Sequence, residues 1–122
     1  MRSLPRLLLL LLFLGIARLG GAAAADSFIA GIDDMPLMPG LTQLADRNVV
    51  FDAPSGRIVE AYAEGAVARE TVRGFYARTL PQLGWRERGG DLYVREGETL
   101  RLEFPAPRSG GRTLVRFFLS PG

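Results

Sequence analysis

A change of hydrophobic period at Gly84 constrains this chain more than any other feature. Upstream, Val72, Phe75, Tyr76, Thr79, Leu80 and Leu83 recur at i, i+3, i+4, i+7, i+8 and i+11, one stripe along an α-helix. Arg69, Glu70, Arg73 and Arg78 fall on the other side. The spacing predicts a helix over 68–83, without a good capping side chain at its start and stopped by Gly84. Pro81 lies inside the last turn, where it removes a backbone bond and bends or thins the helix end. Downstream of Gly84 the period becomes two, and the chain reads as strands.

Residues 85–88 and 91–96 are expected to form a hairpin joined by Gly89-Gly90. A second turn at Gly97 leads to TLRLEF, with Leu100, Leu102 and Phe104 on one face and Thr99, Arg101 and Glu103 on the other. The loop PAPRSGG returns the chain to TLVRFFLS, where Val115, Phe117 and Leu119 share a side. Ahead of the helix, two β-prone runs at 48–52 and 57–63 flank Pro54-Ser55-Gly56 and read as a further hairpin. The order β-β-α-β-β-β-β implies an α+β fold: one antiparallel twisted sheet with the amphipathic helix packed on one face. Tyr76, Leu80, Leu83, Trp85, Leu92, Val94, Leu100, Leu102, Phe104, Val115 and Phe117 are the expected core. The last strand, LVRFFL, is either a sheet edge guarded by Arg116 or a central strand.

The first part of the chain reads differently. Residues 7–17 are an unbroken apolar run, led by Arg2 and Arg6 and followed by GGAAAAD, the layout of a secretory signal. A membrane-spanning helix needs about 20 apolar residues, and Arg18 ends this run well short of that. Cleavage is expected after Ala25, with retention as an uncleaved anchor the alternative. Residues 26–46 then form an extended lead-in loop with Pro36, a Pro39-Gly40 step and a short turn near 41–45. A single domain is expected over 47–120. Removing residues 1–25, with three arginines and no acid, leaves 12 basic against 13 acidic residues. The basic character of the full chain therefore belongs to its leader and gives no support for nucleic-acid binding.

The chain contains no cysteine, no histidine and no lysine; all 15 basic residues are arginine. These absences exclude a Ser-His-Asp triad, a Cys-His pair, a zinc site of ordinary ligand type and a lysine Schiff base. Three candidate sites remain. Met35 and Met38, beside Asp33 and Asp34, supply two soft thioethers of the kind that binds Cu(I), and the alternative is that both methionines fill gaps under an irregular loop. The carboxylates Asp33, Asp34, Glu60, Glu64, Glu96, Glu98 and Glu103 show no spacing that selects an acid–base pair. The sheet face opposite the helix is expected to carry Tyr62, Tyr93, Arg95, Arg101, Arg116 and Phe118, with Glu60, Glu103 and Leu114. Aromatic residues beside arginine are what interface centres favour; the other reading is ordinary cross-strand pairing under arginine stems.

FYARTLPQLGW, preceded by GRIVEAYAEG, resembles small exported bacterial domains in which such a helix precedes an antiparallel strand meander. Phe75, Tyr76, Leu80, Pro81, Leu83, Gly84 and Trp85 carry the resemblance. It implies export and a fold; these are packing and capping positions, and no activity or ligand residue comes with them.

The expectation is an exported, non-catalytic binding or accessory module of the bacterial cell envelope, periplasmic or secreted, acting by protein–protein contact. Its partner is an unidentified envelope protein or a second copy, with no nucleic acid, no cofactor, and a membrane only if the leader is kept. The alternative is a Cu(I) carrier or small enzyme using the loop with Asp33, Asp34, Met35 and Met38.

Overall fold

Pro54 and Ser55 turn the chain between two β-prone runs, so that strands β2 (Val49–Ala53) and β3 (Gly56–Gly65) pair antiparallel. The computed structural model describes residues 27–107 and 110–122, and the expected signal at 1–25 lies outside the described residues. A short strand β1 (Thr42–Gln43) joins the same edge of β3 further along, and a 3-10 turn at Ala45–Arg47 carries the chain from it into β2. Helix α1 (Arg69–Thr79) follows from an extended Ala68 that supplies no side-chain cap. Pro81 has no N–H with which to continue the ladder, and the helix tightens into a 3-10 turn over Leu80–Leu83. Gly84, at φ 92°, ends it in the left-handed conformation. The thinned helix end expected from Pro81 is present.

The remaining strands form a meander: β4 (Arg86–Gly89), β5 (Leu92–Arg95), β6 (Glu98–Glu103) and β7 (Thr113–Pro121). All pairings are antiparallel, in the order β4-β5-β6-β7-β3, with β1 and β2 sharing the outer edge of β3. The LVRFFL strand is therefore central, and the sheet edges are β4 on one side and β1 with β2 on the other. The α+β class and the helix-on-sheet arrangement match the expectation.

Val59, Ala61, Ala63, Leu100, Leu102, Val115, Phe117 and Leu119 line the helix side of the sheet, and Val72, Tyr76, Leu80 and Trp85 close over them. Two residues expected in this core are elsewhere. Leu92 and Val94 pair with Arg101 and Thr99 on the opposite face, while Tyr93, paired with Leu100, is buried. The cause is one extra residue in β4, a bulge between Glu87 and Gly89 that sets Tyr93 opposite Glu87. Gly89 belongs to β4 and pairs with Leu92, across the bulge. The loop is Gly90-Asp91, not Gly89-Gly90, and Glu96-Gly97 makes the next one. All four residues have positive φ (63°, 62°, 49° and 80°), the type I′ signature. A shift of one residue turns every side chain of a strand to the other face.

The lead-in is part of the core. Ile29, Ile32, Met35, Met38 and Leu41 are all buried against the sheet and helix. Ile29 N–H donates to Met35 O at 2.8 Å and Leu37 N–H to Ser27 O at 2.9 Å, so the segment folds back on itself. Gln43 then binds both its neighbours, donating to Phe28 O and accepting from Ala30 N–H, while Asn48 donates to Ala30 O and accepts from Tyr62 N–H. Gly65 makes this close packing possible. A Cβ there would lie inside van der Waals contact of Gly40 O.

Candidate functional site

Strand pairing across β2, β3, β7, β6 and β5 defines the sheet face away from the helix. One row reads Val49, Glu60, Phe118, Arg101, Leu92. The next reads Tyr62, Arg116, Glu103, and Phe51 and Ile58 begin a third. Among the described residues of this face only Leu114 is buried, where it adjoins Phe104, Pro105 and Pro107 around a small pocket of about 200 Å3. Val49 and Phe51 are 52 and 58 % exposed.

Arg116 organises the centre of the face. Its guanidinium donates to Glu60 at 2.5 Å and to Glu103 at 2.6 Å, and its Cζ lies 4.5 Å from the Phe118 ring centroid. The three charges come from three adjacent strands, with Glu103 directly opposite Arg116 and Glu60 in the neighbouring row, so the bridge ties β3, β7 and β6 together. Bonds to two carboxylates outweigh partial burial and raise the Arg116 pKa above its already high ordinary value, so its charge is permanent. Beside it, Arg47 stacks on Tyr62 at 4.3 Å. These geometries hold aromatic and arginine side chains in fixed orientation on a solvent-facing surface.

Of the six interface residues expected from the sequence, the structure brings Tyr62, Arg101, Arg116 and Phe118 together. Tyr93 and Arg95 are on the other face, because the one-residue bulge between Glu87 and Gly89 shifts the pairing of β5. Tyr93 is buried, which pushes its phenol above the ordinary value, with Glu87 and Asp91 adding to the rise. Arg95 is a strut: it donates to both oxygens of Asp34, to Leu83 O at 2.9 Å, and stacks on Trp85 at 4.4 Å. It joins lead-in, helix end and sheet. The face also holds Val49, Phe51 and Ile58, which the sequence reading passed over, and Leu92 and Val94, which it placed in the core. The VVF run in a short strand was the available signal, since the alternation test applied to longer strands does not mark it.

The other candidates are placed as follows. Met35 and Met38 are buried among Ile29, Ile32 and Leu41, filling the space beneath the lead-in. Asp33 is exposed and Asp34 pairs with Arg95 at 3.0 Å. Among the described residues no group of three or more Asp or Glu side chains is arranged to hold a metal ion. Glu64 faces Arg112 at 3.8 Å, and Glu96 and Glu98 line an open cleft of about 640 Å3 beside Arg86, Arg88 and Arg95. With Asp34 also in its wall, that cleft has three acids against three arginines, so its charge selects neither anion nor cation. In comparisons with family models, curated proteins and solved structures, the chain matches none.

Proposed function

We propose that the protein is an exported, non-catalytic binding or accessory module of the bacterial cell envelope that acts by protein–protein contact through its open sheet face. One observation carries this: Val49 and Phe51 stand exposed on the same sheet face as Phe118, Tyr62, Arg101 and Arg116, a face that no helix among the described residues covers. Aromatic and arginine side chains are the types that dominate interface centres. The Glu60–Arg116–Glu103 bridge favours that use, because side chains already ordered lose less entropy on docking. Support for export is the leader layout of residues 1–25, with cleavage after Ala25 and a periplasmic or secreted destination. No helix among the described residues is long and apolar enough to cross a membrane.

The test is capture from the native envelope with a C-terminal tag, read by mass spectrometry for both partner and N-terminus. An Asp26 start and a partner lost on Phe118→Arg are the expected results. A Met1 start ends the cleaved-export reading, and capture unaffected by Phe118→Arg ends the open-face reading.

A further inference from the structure

We propose that two copies of the protein pair through their β2 edges, antiparallel about a two-fold axis at Val50, so that their sheets become one. The inference stands on the edge of the sheet and not on its open face, so either reading can fail without the other.

The two sheet edges differ in chemistry. β4 presents Arg86, Glu87 and Arg88, all exposed, and charge along an edge strand opposes the addition of another strand. β2 presents Val49, Val50 and Phe51, which are 52, 55 and 58 % exposed. Among the described residues β3 is its sole strand neighbour, so the backbone groups on its far side have no ladder partner. A bare apolar edge of this kind is a template for strand pairing.

The residue order of β2 makes a second copy the fitting occupant. Directly opposed residues of an antiparallel pair lie on the same face of the sheet. Val49 and Phe51 belong to the open face, as partners of Glu60 and Ile58; Val50, opposite Val59, belongs to the helix face. Registers that keep the faces matched are therefore centred on Val49, Val50 or Phe51. Centring on Val50 sets Val50 against Val50 of the second copy and Val49 against Phe51 in both directions, apolar against apolar throughout. Centring on Val49 opposes Val50 to Asn48, and centring on Phe51 opposes it to Asp52. In the favoured register Asp52, already opposite Arg57 in its own hairpin, faces Asn48 and meets no second carboxylate. The dimer's outer edges are both β4, whose charges stop further addition; the contact is isologous and closes at two copies. It also brings Val49 and Phe51 of both copies to the middle of one continuous open face.

Sedimentation of the purified protein across a wide concentration range tests this, and a concentration-dependent dimer is expected. The axis places residue 50 against itself, so Val50→Lys and Val50→Glu each oppose like charges. Each should weaken self-association by about tenfold or more, and an equimolar mixture of the two should restore it. Phe118→Arg, which lies on the other face and away from the edge, should leave the dimer intact. The chain has no cysteine, so Val50→Cys supplies a single thiol that should join two copies on mild oxidation, whereas Ala53→Cys, facing Arg47, should not. A wild-type monomer at every concentration overturns the proposal. So does a failure of the Lys and Glu variants to pair, or cross-linking through residue 53 as fast as through residue 50.

Discussion

Tyr76 links three parts of the molecule through one side chain. Its ring meets Phe117 of the sheet edge-on at 5.2 Å, and its hydroxyl donates to Pro36 O and accepts from Met38 N–H at 3.1 Å. Burial pushes the phenol well above its ordinary value near 10, because the anion has no water to solvate it. Tyr76→Phe keeps the packing but strands the Met38 N–H, and should lower stability at neutral pH by about 1–3 kcal/mol. It should also change the alkaline limb. Above about pH 10 the unfolded chain sheds phenolic protons that folded Tyr76 and Tyr93 retain, so stability holds below that point and falls as pH rises. With Tyr76 removed, that fall should be shallower in denaturant titrations at alkaline pH, and an unchanged slope would contradict the assignment. Gly65 is constrained by space: Gly65→Ala pushes a methyl into Gly40 O and should cost about 2 kcal/mol or more, by the same titration.

At the scale of elements, the lead-in depends on polar clamps as well as on its five buried side chains. Gln43 and Asn48 hold the Phe28–Ala30 backbone from two sides. Gln43→Ala removes two of these bonds at an exposed position, so the global stability loss should be about 1 kcal/mol, while amide exchange at residues 28–30 quickens far more. Uniform exchange across the chain in that variant would mean that the lead-in does not open separately. Arg95→Ala acts on three elements at once, releasing Asp34, Leu83 O and the Trp85 ring. It should destabilise by about 1–3 kcal/mol, more than an exposed ion pair does, because a carbonyl bond and a stacked arene go with the charge. Raising salt should recover little of the difference, and a wild-type protein made equally weak by salt would show that the Asp34 charge alone mattered.

Across the whole molecule, the sheet has one face filled and one face open. Helix and lead-in together cover the first, and the second is left to an arginine bridge and a scatter of apolar side chains. The sheet's centre, β3 with β7, joins residues far apart in the chain, and its two edges carry opposite chemistry. Several features were legible in the residues alone. The helix stripe, its Pro81 distortion and Gly84 stop, the inward phase of Leu100, Leu102, Val115 and Phe117, and the six strands other than the two-residue β1 all follow from local period and turn chemistry. So did Tyr62, Arg101, Arg116 and Phe118 as companions on one face, because alternation along long strands is a local property. The placement of Tyr93 and Arg95 was not. The one-residue bulge between Glu87 and Gly89 leaves no mark in the local alternation, so the face of β5 is decided only by its pairing with β4 and β6. The lead-in shows no period, so its burial could not be read from it; irregular backbone becomes core only when a sheet face, Gly65 and the clamps of Gln43 and Asn48 are assembled around it. Which strand is central, and which edge is bare, were likewise decided by tertiary structure. Order along a chain records what each strand is, whereas position in a sheet is set by long-range pairing energies that no single segment contains.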